Sequence, residues 1–599
     1  MRRDVLNRLR MSVIGLGTLA WSALAFAADG AAANESLVNR LPSGVLATVE
    51  IAKLGPVINT IENAKELKQY LDSPLYDDAL KNDGLRKALA GKAIAEAQLG
   101  MSLWQAAKTY LGDRVLLGVY APSNGREPDG VLIVQVQDAS DLTKLIEKLT
   151  PLIAFAGRDV TLSDRDGGGK LITLKDGNEV VVKDRWVVAS KNSDLLKETL
   201  TNLTESKSSG VENEAAWKTM SQQMGDGHGV QVCVNLARIK ELMGQTRLIP
   251  EKLDNPVVSL LYGGLLELAN SSPYVGATFD LSKDGFSLQT ALAGKAGDVD
   301  EAHRALLVNP EQPLIPFVPN VPSRLGAISL SRDFVTWYKA REKLLEAKLL
   351  PEFDKFETGL ATFLPGKDFA EDVLPLLTGR IAFVSAPQDF SNLDGKPGVQ
   401  LPAFGLVVEL AKPQEGADLF NVVTQTLLAI VNINAGQEKR QPWVQTSESY
   451  HNVQINFARF LQRPKGDQLP TAYNFQPASA LVGDRFIFSS TRGMCRQLVD
   501  ALSGEAASTK DAASTKHASA TGSALPNFVQ ELNPSIGADL LEANAAVIHA
   551  KSIQGGKTAE QSARELDFLC KLLRHLTTIK FDTVQYPDHM RLELHGGWK

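Results

Sequence analysis

Lys183-Asp184-Arg185-Trp186-Val187-Val188-Ala189-Ser190 is answered later in the chain by Gly483-Asp484-Arg485-Phe486-Ile487-Phe488-Ser489-Ser490. Each run places a polar turn before a short apolar run, and each leads into a leucine-bearing helical stretch; elsewhere the strand-like runs alternate apolar and polar residues. Alternation with a period of two is the mark of a strand with one covered face. Working outward, Leu41-Pro42-Ser43-Gly44 is matched by Val321-Pro322-Ser323-Arg324, and Gly112-Asp113-Arg114-Val115 by Thr378-Gly379-Arg380-Ile381. Val131–Val136 leads to a helical stretch around Ala139–Leu149, and Gly405–Leu410 to one around Gly416–Ile430. Each series closes on a helix and a hairpin. The first hairpin turns at Lys283-Asp284-Gly285 and the second at Pro587-Asp588-His589, and an Asp-Gly turn between alternating runs is a strong hairpin signal.

Five landmarks in the same order predict an internally duplicated α+β protein: two homologous halves of antiparallel sheet with packed helices. The first half is expected over 38–300 and the second over 323–599, with the proline-rich 301–322 between them. Gly112 and Gly379 read as glycines that end a helix before a strand. Residues 504–525, which repeat Ala-Ala-Ser-Thr-Lys, carry too little apolar surface for a core and are expected to form a surface loop. The Asp184-Arg185 and Asp484-Arg485 pairs are expected as repeat-equivalent turns, with a paired ligand site as the sharper alternative.

Residues 1–27 have the layout of an export signal. Arg2, Arg3, Arg8 and Arg10 precede an apolar stretch from Met11 to Phe26, and Ala25-Phe26-Ala27 supplies the small-x-small cleavage pattern before Ala28. The apolar stretch is shorter than the roughly 20 residues a membrane-spanning helix needs. A soluble mature chain in the periplasm or medium is expected, without stable membrane insertion once the signal is removed. The Arg2-Arg3 pair leaves the twin-arginine and general routes both open. Gly15-Leu16-Gly17-Thr18-Leu19-Ala20 spells a dinucleotide fingerprint inside this segment, but no strand precedes it.

The 599 residues are 44% hydrophobic and 22% charged, with a formal charge of −6, as in a folded globular protein of two to four domains. No basic stripe marks a nucleic-acid partner. Cys233, Cys495 and Cys570 are too few for a disulfide framework and are expected as buried thiols, although one pair could be oxidised.

A search for chemistry returns little. Gly167-Gly168-Gly169-Lys170 lacks the Ser or Thr that follows a phosphate-loop lysine and precedes a strand, so a hairpin is expected. Asp164 and Asp166 supply half of a calcium loop without its closing glutamate. His228 sits in a glycine turn, while His589 and His595 flank the last strand. None has the spacing of a metal motif. Neither a GxSxG elbow nor a nucleophilic cysteine setting occurs. No catalytic residue, metal ligand or cofactor is assigned, and no specific partner.

The paired landmarks together resemble a family of uncharacterised exported bacterial proteins, catalogued as a domain of unknown function, over about Leu41–Gly597. That resemblance implies a duplicated α+β fold and supplies no catalytic residues. The leading expectation is a non-catalytic binding or scaffolding protein of the cell envelope. The alternatives are a carrier or chaperone for an apolar ligand, marked by an apolar cavity, and a hydrolase with dispersed carboxylates, marked by a buried acidic pair.

Overall fold

The computed structural model describes residues 36–599 except 53–57, 60–61, 63–67, 69, 111–113, 124–126, 137–159, 166–167, 175–176, 209–210, 212–213, 226–228, 283, 310–312, 365, 462–465 and 509–523. The expected export signal with Ala25, Ala27 and Ala28, the stretch Ala139–Leu149, His228 and most of the low-complexity run lie outside the described residues. The chain forms two compact units. One comprises the residues up to Leu248 with Ala269–Ala293; the other comprises Ile249–Leu268 with Gly294–Lys599.

The first unit holds strands β1 (Ala47–Ala52), β2 (Arg114–Tyr120), β3 (Asp129–Gln135), β4 (Val160–Asp164), β5 (Lys170–Leu174), β6 (Glu179–Lys183), β7 (Trp186–Ser190), β8 (Val230–Asn235), β9 (Tyr274–Ser282) and β10 (Gly285–Ala293). They pair antiparallel in the order β10-β9-β8-β1-β2-β3-β7-β6-β5-β4. Helices α1 (Ser193–Thr204) and α2 (Ala215–Met224) cover one face of this sheet. Leu196, Leu200, Trp217 and Met220 bury there against Ile133, Val188, Cys233 and Tyr274. Helix α3 (Leu236–Met243) starts at Asn235, whose side chain accepts from Arg238 N. Helix α4 (Pro256–Ser271) precedes the β9–β10 hairpin.

The second unit repeats this order. Its strands are β11 (Gly326–Ser331), β12 (Leu377–Ala386), β13 (Lys396–Pro397), β14 (Ala403–Leu410), β15 (Trp443–Tyr450), β16 (Val453–Phe460), β17 (Gln468–Leu469), β18 (Ala478–Val482), β19 (Arg485–Ser489), β20 (Leu525–Leu532), β21 (Ile579–Gln585) and β22 (His589–Gly597). Apart from the short parallel pair β13–β17, they run antiparallel as β22-β21-β20-β11-β12-β14-β19-β18-β16-β15. Strand for strand this is the topology of the first unit, and the fold is α+β. Helix α5 (Pro413–Gln437) packs Phe420 against Phe486 and Phe488 on one face. On the other face α6 (Arg492–Ser508) packs Cys495, Leu498 and Val499 against Ala480 and Ile487. Helix α7 (Pro534–Ala543) starts at Asn533, which accepts from Ile536 N as Asn235 accepts from Arg238 N. Helix α8 (Ala559–His575) precedes the β21–β22 hairpin.

Matching the strands corrects three details of the sequence reading. The first concerns the Asp-Arg pairs. In β6–β7 the hairpin turn is Asp184-Arg185, with Asp184 at φ 52° and Lys183 opposite Trp186. In β18–β19 the turn is Gly483-Asp484, with Gly483 at φ 61° and Val482 opposite Arg485. Arg485 is therefore the first strand residue and corresponds to Trp186, not Arg185. A turn beginning one residue earlier moves every following side chain to the other face, so textual alignment and register disagree by one.

The second concerns Gly379, which ends no helix. It lies within β12 at φ 99°, where the register shifts between Leu377 and Ile381. A Cβ there would stand 2.1 Å from Arg332 O, which makes it a bulge glycine. The third concerns 301–322, which is not wholly a linker. Ala302, His303, Leu306, Leu307 and Val308 are buried around the turn Glu301–Arg304. Helix α6 also runs to Ser508, into the low-complexity segment expected from 504.

One face differs between the units. Cys233 pairs with Gly276 in the first, and in the same register Glu531 pairs with Lys580 in the second. Helix α2 sits so close to Gly276 that a Cβ would meet Met220 Cγ and Met224 Sδ at 2.6 Å. Where the first chain segment supplies α2, the second has the Ala/Ser/Thr/Lys run, without any apolar side chain larger than alanine from Thr509 to Ala524. The corresponding sheet face carries Glu531, Lys580, Asp582, Glu593 and His595 instead of a core.

Candidate functional site

The second unit holds a cleft of about 800 Å³ at the N-terminal end of α6. Its sides come from β16, the first turn of α6, the loop after β12 and the turn Thr471–Asn474. Phe457, Phe460, Tyr473 and Phe475 give it an aromatic lining, and Arg459, Arg492 and Arg496 bring cationic groups.

Local sequence sets these positions. Thr491 caps α6, its Oγ1 accepting from Met494 N at 3.0 Å. Arg492 and Arg496 stand four residues apart on that helix and so share a face. Both reach Glu448 on β15. Arg492 Nε donates to Oε1 at 2.8 Å, Arg496 Nε to Oε1 at 2.9 Å and Arg496 Nη2 to Oε2 at 2.6 Å, with Arg492 Nη2 on Oε2 as well. These charge-assisted bonds hold the Glu448 carboxyl down at about 2. The Arg492 guanidinium lies 4.8 Å from the Phe457 ring centre and that of Arg496 4.9 Å from Tyr450. Two arginines against one carboxylate leave the triad with a net positive charge.

Asn474 fixes the opposite wall. Buried, it accepts from Leu401 N at 2.8 Å and donates to Val399 O at 2.8 Å and Thr471 O at 2.9 Å. Tyr473 and Phe475 flank it and Phe460 packs on Tyr473, ring centres 4.7 Å apart. Asp389, the lining carboxylate, is exposed. Bonds from Ser391 N and Oγ hold its pKa below the usual range. Arg459 is exposed, and its side chain has neither a hydrogen bond nor an ion pair with any described residue. The cleft can therefore hold an anion through guanidinium groups and the amide end of a helix, with apolar groups against the rings.

The sequence-assigned positions lie elsewhere. Asp184 and Arg185 form an exposed turn with Arg185 5.3 Å from the Trp186 ring. Asp484 is an exposed turn residue, while Arg485 stacks on Phe317 at 4.3 Å and lies 4.0 Å from the buried Glu409. Lys170 ends the β4–β5 hairpin paired with Asp164 at 2.6 Å. His589 is buried on Tyr586 and bonded to Asp588 at 2.7 Å, whereas His595 lies 3.5 Å from Glu593. All three cysteines are free and buried. Arg492, Arg496 and Glu448 escaped the sequence reading. The i,i+4 arginine pair behind a capping threonine was the available signal.

Neither a protein-family profile nor a curated protein sequence matches the chain. Two crystal forms of TP0453 show similarity at 11% and 10% identity, over 46% and 44% of this chain and 83% and 80% of that protein, with TM-scores of 0.24 and 0.23. Likeness at that level carries no argument about function.

Proposed function

We propose that this chain is a non-catalytic binding protein of the bacterial cell envelope whose second unit takes an anionic ligand with an aromatic or apolar body. The observation that carries this reading is the convergence of Arg459, Arg492 and Arg496 with Phe457, Phe460, Tyr473 and Phe475 in one cleft. Anion and ring recognition need no nucleophile, and the lining supplies donors and π faces rather than a raised carboxyl. The envelope location rests on the export-type residues 1–27, and membership of the uncharacterised exported family on the repeated landmarks. Duplication of one ancestral unit accounts for the shared strand order.

Titration with an aromatic sulfonate probe, anilinonaphthalene sulfonate, tests the site. The native chain should bind it saturably, and Arg459→Glu, a change at an exposed position, should weaken binding about tenfold, the effect of one lost charge-assisted contact. Equal binding by both proteins would place the probe elsewhere and count against the reading.

A further inference from the structure

Helix α5 is largely apolar and uncharged over most of its length yet only partly covered. From Leu419 to Gln437 it has no charged side chain, and its length and hydropathy equal those of a membrane-spanning helix. At about 1.5 Å per residue it is roughly 37 Å long. A helix of that character is ordinarily buried all round. Here one strip reaches the sheet, through Gly416, Ala417, Leu428 and Ala435 with Phe420. The opposite side presents Val422, Ala429 and Ile433, which align along the helix at 3.6 residues per turn, with Val422 49% and Ile433 61% exposed; Leu427 and Val431 are also exposed, on a flank nearer the sheet. An uncovered apolar face of this kind marks an interaction site.

The charges around it select the occupant. Lys412, Glu415 and Asp418 leave the N-terminal end net negative, whereas Glu438, Lys439 and Arg440 leave the C-terminal end net positive. Lys412 is neutralised by Glu415 at 3.2 Å and Arg440 by Glu438 at 2.6 Å, so Lys439 is the cation in excess. Lys439 adopts φ 54° in the turn closing α5, beside the end where Ile433 lies. Asn432 anchors that end to β15, exchanging bonds of 2.8 and 2.9 Å with the Trp443 backbone. An apolar stripe with a cation and a tryptophan at one end suits the boundary between acyl chains and headgroups.

We infer that the exposed face of α5 docks the second unit on an anionic lipid surface, C-terminal end deepest, while the helix stays on its sheet. The inference rests on other side chains than the cleft, although Trp443 packs on the cleft residue Phe460 with ring centres 5.7 Å apart. Unlike a spanning segment, such a helix binds reversibly and more weakly as salt screens Lys439.

Sedimentation of the full chain with phosphatidylglycerol/phosphatidylethanolamine vesicles, and with phosphatidylcholine vesicles, tests it. The native chain should sediment with the anionic vesicles and be released by high salt. Val422→Glu/Ile433→Glu should bind about tenfold less while keeping its circular dichroism and thermal midpoint, since both side chains are exposed on the same face. Failure of the native chain to bind, equal binding by the variant, or release only by detergent would overturn it. So would a native dimer in solution that the variant dissolves, because a second copy would then own the face.

Discussion

The Glu448 carboxylate takes the Arg492 guanidinium side-on, Nε to Oε1 at 2.8 Å with Nη2 on Oε2, across 44 residues of chain. The bond ties β15 at the sheet edge to the first turn of α6. That tie joins the cleft wall, the helix cap and the hairpin.

Acid should loosen this tie. Glu448 titrates near 2 in the folded chain and near its ordinary 4.5 when unfolded. Its stabilising contribution is thus fully present above about pH 4.5 and lost as pH falls towards 2. Asp300, also held near 2 by His303 and Lys343 after the opposing effect of burial, titrates in the same window. The difference between native and Glu448→Gln proteins isolates the triad. Urea midpoints measured from pH 6 to pH 2.5 should fall more steeply in the native chain, and parallel curves would count against the assignment.

Arg332 is fully buried, without a carboxylate partner among the described residues. Its donors reach Leu260 O, Leu261 O, Ser331 O, Asn527 O and Asn527 Oδ1 at 2.7–3.0 Å, and burial lowers its pKa to about 9. Arg332→Met should cost about 3–5 kcal/mol, because several buried carbonyls lose their partner together. Arg332→Lys should recover only part of this, having one short, unforked ammonium for acceptors spread around a plane. Denaturant unfolding measures both, and a neutral Arg332→Met would show that the network adds little.

Gly276→Ala should destabilise the first unit by about 1–3 kcal/mol, since its methyl group would press on Met220 and Met224. Adding Met220→Ala should return part of the loss by making room. Without that recovery, packing of α2 would not be the reason for the glycine.

Cys233, Cys495 and Cys570 should be unreactive in the native chain. Burial raises all three thiols, Cys495 to about 12. A thiol reagent should modify none of them at pH 8 and all three in denaturant. One rapidly modified cysteine would contradict their burial.

Much of the fold was legible because apolar patterning is local. The strands at 183–190 and 483–490, the closing hairpins and the helix before each can be read from adjacent residues. Register was not, because Asp-Arg occurs in both halves while the turn around it begins one residue earlier at Gly483. Gly379 looked like a helix end, since a bulge glycine and a C-cap glycine share the same positive φ and differ only in what lies across the strand. The cleft was not legible: Glu448 meets Arg492 and Arg496 through sheet pairing, and nothing in the intervening sequence fixes that approach. The exposed face of α5 was hidden for the opposite reason, because an apolar helix reads alike whether buried or bare.

The cleft in the second unit is tested most directly by a native mass spectrum of the full chain purified from its own host, recorded beside Arg459→Glu. The account predicts a bound anionic species with the native chain that is absent, or reduced about tenfold, in the variant. A native chain at its bare mass, or an equal adduct on both proteins, would contradict it.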